Sequence, residues 1–325
     1  MRFAVLLLFP AVVLSACTST SGSGSPPGSS PASGSAATTN ASTAVGAEVS
    51  GRFGAAPRLT IPAEPAPARL TQQTLIDGDG ATVAKGDTLV ANYLGETWAP
   101  KAGKPNVFDS SFKRGSPAAF VIGQGAVIPG WDKTLVGKKL GSRVLLTVPP
   151  SDGYGSKGQP SAGISGTDTL VFVVDLVAEY TPNASAPGST VKHLPSSGLP
   201  KVTNVPGKRP QIISTAGVKA PAKPTSTLLV TGRGPKIDTA KTLVLQLVQT
   251  DLATGTKTQA TWGRAPQAVP AKNALSIADK LIGQRIGSRV LVLLPPTPAT
   301  AASPTQGAQP ASPANVLIID VVGQF

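Results

Sequence analysis

The chain repeats itself, and this constrains its fold more than any other feature. Leu75–Gly80 (LIDGDG) matches Leu229–Gly234 (LVTGRG), and Gly86–Tyr93 (GDTLVANY) matches Ala240–Leu247 (AKTLVLQL). Leu135–Pro150 (LVGKKLGSRVLLTVPP) matches Leu281–Pro296 (LIGQRIGSRVLVLLPP), and Thr169–Val177 (TLVFVVDLV) matches Ala314–Val322 (ANVLIIDVV). The order is kept, and the offset is about 150 residues. That is too long for a solenoid repeat and right for a duplicated domain. The matches predict one domain over 48–180 and a second over 201–325. Between them, 181–200 (TPNASAPGSTVKHLPSSGLP) reads as a linker.

Within the first copy, Thr88–Tyr93, Ala119–Ile122, Arg143–Val148 and Thr169–Val177 have the apolar alternation and β-branched content of strands. Pro129-Gly130 is a turn. One or two helical turns follow from Trp131 to Val136, with Gly137 placed to stop them. Many strands and one short helix per copy predict an α+β class, each domain being an antiparallel sheet curled around its helix. The pattern does not fix the strand order.

Some chemistry is excluded. The chain has one cysteine, Cys17, and one histidine, His193. No intrachain disulfide, Cys–His dyad, Ser–His–Asp triad or zinc cluster can be assembled in the folded body. His193 falls in the linker and reads as a solvated residue. The net charge of +13 comes from scattered cations with no run of five, so nucleic-acid binding is not expected.

The first sixteen residues read as an address. Arg2 precedes an apolar stretch, Phe3–Leu14, which as a helix is too short for a bilayer core of about 30 Å and suits a signal-peptide core. Leu14-Ser15-Ala16-Cys17 then resembles a bacterial lipobox. This implies cleavage before Cys17, lipid on its sulfur, and a chain exported and anchored to the outer face of the cell membrane. The alternative is an ordinary secretory signal with an incidental cysteine. The remainder of 17–47, Thr18 to Ala47, is Ser, Gly, Thr, Pro and Ala, which predicts a disordered tether.

The first copy carries Asn92-Tyr93-Leu94-Gly95, Phe108-Asp109-Ser110-Ser111, Gly125-Ala126-Val127-Ile128-Pro129-Gly130-Trp131, Val148-Pro149-Pro150, Gly153-Tyr154-Gly155 and Leu170-Val171-Phe172 in that order. Over about 78–180 it resembles the FKBP-type peptidyl-prolyl cis/trans isomerases. The resemblance implies an apolar cleft lined by Tyr93, Phe108, Val127, Ile128, Trp131, Ile164 and Phe172, with Trp131 as the floor beneath a proline ring. It places Asp109 as an acceptor near Tyr93 and Arg114. It gives the N–H of Ile128 and the hydroxyl of Tyr154 the task of holding peptide carbonyls. Each residue also has a plain reading, as core for Phe108, Trp131, Val171 and Phe172 and as a turn or cap for Asp109.

The chemistry agrees with this residue list. Rotation about an X–Pro bond costs about 18–20 kcal/mol because amide resonance is lost at the twisted state. No bond breaks, so no nucleophile, metal or cofactor is implied. Two departures stand at the rim. Ala118 falls where many members carry an aromatic, and Gln159 where many carry a histidine, with 159–167 one residue longer. A more open pocket is expected, with altered peptide preference and weaker binding of FK506-type macrolides. The implied partners are proline-containing unfolded or exported polypeptides.

The second copy keeps the apolar strands and loses the cleft. Tyr93 corresponds to Leu247, Trp131 falls near Ile277, and Phe172 corresponds to Leu317. Phe-Asp-Ser-Ser has no evident counterpart beyond the neighbourhood of Thr261-Trp262-Gly263-Arg264, and the Tyr154 loop gives way to 297–313. A folded, degenerate domain with little or no isomerase activity is expected, unless Trp262 rebuilds a floor. The alternative for the whole chain is a membrane-tethered chaperone or binding scaffold with incidental turnover. A cell-wall binding protein is a third reading, without a motif.

Overall fold

The structure is a computed structural model that describes residues 41–42, 46–195, 197–298 and 311–325. The signal segment 1–16, Cys17 and most of the expected tether lie outside the described residues. Internal contacts divide the chain into two compact units, the first ending at Thr181 and the second beginning at Pro182.

The first unit contains β1 (Ala41–Ser42), β2 (Glu48–Ser50), β3 (Arg58–Thr60), β4 (Thr71–Ile76), β5 (Thr88–Thr97), β6 (Val107–Ser110), β7 (Ala118–Val121), β8 (Arg143–Val148) and β9 (Leu170–Tyr180). A six-stranded antiparallel sheet runs β4-β8-β9-β5-β6, with β7 also pairing β5. Two short helices accompany it, α1 (Ser111–Arg114) and α2 (Pro129–Thr134). The expected single helix is therefore α2, two residues earlier than its predicted start. Pro129 opens it, since a proline at the first helical position loses no needed N–H.

Every residue of β8 is buried, because both faces of the sheet are covered. On one face α2 packs over Leu89, Ala91, Val144, Leu146 and Val174. On the other, Ala47, Val49, Leu59 and Ile61 pack over Leu75, Trp98, Leu145, Val171 and Val173. That second layer is the small sheet β1-β2-β3, so the expected tether ends before Ala47, which is fully buried.

The outer layer is fastened by an ion pair. Arg143 and Asp175 face each other across β8 and β9, both at 0% exposure, joined at 2.6 and 2.8 Å. Arg143 also donates to the carbonyls of Gly51 and Ala55 at 3.0 and 2.8 Å, and Asp175 accepts the N–H of Gly54. A buried guanidinium requires this saturation, since an unpaired charge in such a place costs several kcal/mol.

The second unit repeats the plan with β10 (Ser189–Thr190), β11 (Lys201–Thr203), β12 (Gln211–Ser214), β13 (Thr225–Thr231), β14 (Thr242–Asp251), β15 (Lys257–Ala260), β16 (Gln267–Pro270), β17 (Arg289–Leu294) and β18 (Asn315–Gln324). Its seven-stranded antiparallel sheet runs β10-β13-β17-β18-β14-β15, with β16 on β14. Its helix, α3 (Ala271–Ile277), packs on one face, and the β11–β12 hairpin covers the other. The clasp recurs. Arg289 and Asp320 are fully buried together, and Arg289 reaches the carbonyls of Val205 and Lys208.

The expected linker 181–200 belongs to this unit. Ser189–Thr190 pairs with β13, and Ala186, fully buried, donates its N–H to Asp320 at 2.7 Å. The buried carboxylate needs donors, and this segment supplies one. His193 is exposed within it.

Candidate active site

The candidate cleft of the first unit is built where β5, β6 and β9 run side by side. β5 pairs β9 so that Tyr93 lies opposite Val174 and Gly95 opposite Phe172, while β6 places Asp109 opposite Gly95. Phe172 and Phe108 meet edge to face over Gly95, with ring centroids 5.6 Å apart. Glycine is required there: a Cβ on residue 95 would stand 2.7 Å from the Phe108 ring and 2.9 Å from the Phe172 ring. Gly95→Ala is accordingly expected to keep the fold, displace both rings and lower isomerase kcat/KM by about tenfold, since a 1 Å misplacement costs that or more. Turnover of a proline tetrapeptide, read beside near-ultraviolet circular dichroism, checks this.

Trp131 enters from the first turn of α2 and is 3% exposed. Its indole meets Phe120 at 4.9 Å, Tyr93 at 5.4 Å and Phe172 at 5.4 Å, all at interplanar angles of 71–86°. Edge-to-face pairs of this kind contribute about 0.5–1.5 kcal/mol each beyond area burial. The approach to α2 is held by Asp132, whose two carboxylate oxygens accept the N–H groups of Gly123 and Gly125 at 2.6 Å. Val127 and Ile128 follow that loop, half-buried against the core. Among the described residues the N–H of Ile128 has no hydrogen-bond acceptor, and neither has the buried indole N–H of Trp131.

The polar corner follows from α1. Ser110 caps this one-turn helix by accepting the N–H of Lys113, and Gly115 ends it in the left-handed region at φ 71°. The turn returns Arg114 to Asp109, five residues earlier, where the two form an ion pair. Tyr93 donates its hydroxyl hydrogen to the other oxygen of Asp109, and Arg114 donates to the Tyr93 oxygen at 2.8 Å with its guanidinium 5.4 Å from the ring centre. Burial first, then the hydrogen bond to Asp109, push the Tyr93 hydroxyl above the ordinary phenol range. Beneath this corner, Ser111 is fully buried and accepts the N–H of Tyr93 at 2.7 Å, which pins β6 and α1 to β5.

Tyr154 lies half-buried against the same core, between two short 3-10 turns. Burial first, then the charge of Asp109, raise its pKa, so its hydroxyl stays a donor throughout the neutral range. Its hydroxyl makes no hydrogen bond among the described residues. Ile164 is buried, and Gln159 closes its loop through two backbone hydrogen bonds at 2.9 and 3.1 Å. The Gln159 side chain turns to Ser161 at the rim, and Ala118 packs at the edge of the core.

The structure thus brings Tyr93, Phe108, Val127, Ile128, Trp131, Tyr154, Ile164 and Phe172 into one cluster, with Ala118 packed against it and the Asp109–Arg114 pair on Tyr93, while Gln159 is joined to it through the backbone of Ile164. Phe120 was missed. It contacts Tyr93 and Trp131 and completes the aromatic wall. Its signal was the two-residue period of β7, which sets Phe120 on the same face as Ala118. Among the described residues no group of His, Cys, Asp and Glu could hold a metal ion.

Among the described residues of the second unit the corresponding core cluster has no aromatic side chain. Its core is Leu243, Leu245, Leu247, Val269, Leu317 and Ile319 with alanines of α3, and Ile277 is partly buried against it. The Phe-Asp-Ser-Ser segment does have a counterpart, correcting the sequence expectation. Leu247 donates its N–H to Thr261 as Tyr93 does to Ser111, and β15 pairs β14 as β6 pairs β5. Thr258 and Gln259 therefore stand where Phe108 and Asp109 stand. Trp262 rebuilds no floor. It packs on the opposite sheet face with Leu229, Val248 and Leu291, and its indole donates to Ser185. Of 297–313, residues 299–310 lie outside the described residues, and Thr297 pairs with Ser312 at its base.

A family model described as FKBP-type peptidyl-prolyl cis-trans isomerase matches residues 80–177. An FK506-binding protein of Streptomyces anulatus is 37% identical over 122 residues, covering 38% of this chain and 95% of the relative. A probable FK506-binding protein of Corynebacterium glutamicum is 35% identical over 122 residues, covering 38% of this chain and 97% of the relative. Among solved structures, FkpA from Escherichia coli is 38% identical over 34% of this chain and 48% of that chain, with a TM-score of 0.30.

Proposed function

Because the chain belongs to the FKBP-type peptidyl-prolyl cis-trans isomerase family, we propose that its first unit catalyses X–Pro rotation in polypeptide substrates, through the aromatic cleft of Tyr93, Phe108, Phe120, Trp131 and Phe172. The observation that carries this reading is the indole of Trp131 enclosed by three other rings. A water-poor aromatic floor disfavours the dipolar planar amide and accepts the twisted form, whose charge separation is smaller. The free N–H of Ile128 and the hydroxyl of Tyr154 are donors for the carbonyls flanking the proline, and fixing those carbonyls lowers the cost of turning one against the other. The Asp109–Tyr93–Arg114 corner holds Tyr93 in place at the cleft edge. Nothing in this scheme needs a proton to move.

The test is isomerisation of a series of Xaa-Pro tetrapeptides by the full chain, followed by NMR exchange. Absence of catalysis by a folded chain would overturn the reading and favour a binding scaffold. The rate is expected to be flat from about pH 6 to 9, because both phenols near the cleft have pKa values raised above about 10. The sign is fixed by the direction of the shifts. The protonated network contributes stability that is present below the unfolded-state value and lost as pH rises through the folded-state one. A bell-shaped profile centred near neutrality would count against a purely positional role for Tyr154.

The second unit is, in this reading, an FKBP-like domain without turnover, since the described residues of the face equivalent to the cleft are aliphatic. Export and lipid attachment at Cys17 complete the proposal, supported by the Leu14-Ser15-Ala16-Cys17 pattern. Such a protein would serve proline-containing clients folding at the cell envelope. Cys17→Ser is expected to abolish incorporation of labelled palmitate into the protein in its host.

A further inference from the structure

The two units differ sharply in charge. Residues 182–325 carry fifteen Lys and Arg against four Asp and Glu, while the preceding residues carry fourteen against twelve. The excess is concentrated. Between Glu179 and Asp238 the sequence has no carboxylate, and Lys192, Lys201, Lys208, Arg209, Lys219 and Lys223 all fall in this stretch and are all exposed. Four of the six, Lys201, Lys208, Arg209 and Lys219, lie in or beside the layer that covers the outer face of the second unit's sheet, held there by Leu199, Val202, Ile212 and Val218. Among the described residues none of these six cations is matched to a carboxylate.

The layer also presents aliphatic side chains to solvent. Leu194, Val205 and Ile213 are 38%, 56% and 58% exposed. In the β11–β12 hairpin, Val202 and Ile212 pair and turn inward, so the alternate positions Lys201, Gln211 and Ile213 are exposed. Arg289 holds the hairpin loop through the carbonyls of Val205 and Lys208, which leaves the Val205 and Lys208 side chains exposed on a fixed backbone. Beside the loop, Arg209, Lys257 and Arg264 converge on a concavity of about 360 Å³ lined also by Thr258, Gln259 and Trp262, with no carboxylate in its wall.

We propose that this outer face of the second unit docks on a bilayer containing anionic phospholipid, with a headgroup phosphate taken by the Arg209–Lys257–Arg264 concavity and with Val205 and Ile213 entering the headgroup boundary. Cations alone would suit any polyanion. The aliphatic neighbours select the bilayer, because an apolar side chain among cations adds binding only where hydrocarbon is within reach. A single-stranded nucleic acid would instead be held by stacking on exposed aromatic rings. The sequence has no Phe, Tyr or Trp between Tyr180 and Trp262, and Trp262 is buried. The surface is independent of the isomerase cleft and of any lipid on Cys17.

The test is co-sedimentation of the full-length Cys17→Ser chain with vesicles of phosphatidylcholine, with and without phosphatidylglycerol. The comparison chain carries Lys201→Glu, Lys208→Glu and Arg209→Glu in addition. Residues 3–14 are common to both, so the difference reads the second unit alone. Each cation near an anionic surface contributes about fivefold in partitioning, so the triple reversal is expected to weaken binding to the anionic vesicles by about 100-fold or more. Binding should also fall as salt rises. A second variant, Val205→Ser with Ile213→Ser, is expected to lose several-fold on the same vesicles. Far-ultraviolet circular dichroism and an unchanged thermal unfolding transition of the second unit report that the variants remain folded. Equal sedimentation of the parent and the triple variant would overturn the proposal. So would an unchanged Val205/Ile213 variant whose binding is competed by DNA or polyphosphate, since that is a surface for a soluble polyanion.

Discussion

Asp175→Asn is expected to lower the stability of the first unit by about 3–5 kcal/mol, the usual cost of stranding one member of a buried ion pair. The amide keeps the shape of the carboxylate and removes its charge, so the guanidinium of Arg143 remains at 0% exposure without a counter-ion. Its other acceptors, the carbonyls of Gly51 and Ala55, are neutral dipoles and do not replace a carboxylate. Asp320→Asn should do the same to the second unit through Arg289. Thermal unfolding of each full-length variant is expected to show its own unit melting about 10 °C or more earlier, with the other unit unchanged. A loss below about 1 kcal/mol in both would mean that water compensates the charge, and that the clasp positions the chain without stabilising it.

Phe172→Leu should separate folding from catalysis. Phe172 is 4% exposed and stands edge to face with both Phe108 and Trp131. The second unit carries Leu317 at the corresponding position, packed in an ordinary core. A similar-sized apolar swap costs about 1.5 kcal/mol or less, so the fold should survive. The flat ring beside the Trp131 indole is lost, and with it the edge-to-face contacts that set Phe108 and Trp131. Taking about 2–3 kcal/mol for that ring, kcat/KM should fall by about 30- to 150-fold. The full chain is the right material if the second unit is without turnover, as proposed, because it then cannot mask the loss. Retention of near-parental kcat/KM would remove the aromatic wall from the mechanism. A residual rate equal to the parent's with Phe172→Ala as well would locate catalysis outside this cleft.

The strands were legible where β-branched and apolar residues recur in both copies. Arg143–Val148 was read residue for residue, and Thr169–Val177 needed to start one residue later, at Leu170, and to extend to Tyr180. The clustering of Tyr93, Phe108, Trp131 and Phe172 was legible because they fall in ordered motifs, each short and local. What escaped depends on long-range partners. The outer layers were misread only at their edges, where the tether was carried to Ala47 and 181–200 was set aside as a linker because Ala, Pro, Ser and Gly are frequent there. Their fastening lies in Arg143 and Arg289, more than eighty residues away. A clue was present: an arginine in one apolar strand and an aspartate in another recur at matched positions in both copies, and such charges can enter a core only as a pair. Trp262 was offered as a floor because aromatics are scarce. Thr261 takes the place of Ser111, which sends the following residue to the other side of the sheet. Phe120 was read as a plain strand residue because its partners, Tyr93 and Trp131, arrive from β5 and α2.

The covering layer over the first sheet has a practical consequence for anyone trimming this protein. The family match begins at residue 80, yet Ala47, Val49, Leu59 and Ile61 are what shield Leu145, Val171 and Val173 from water. A fragment cut to the matched segment would also delete β4, an outer strand of the sheet that carries Leu75. It would display an apolar sheet face beside an unpaired backbone edge, the combination that drives chains to stack edge to edge into insoluble aggregates. Loss of activity in such a fragment would report precipitation and say nothing about the cleft.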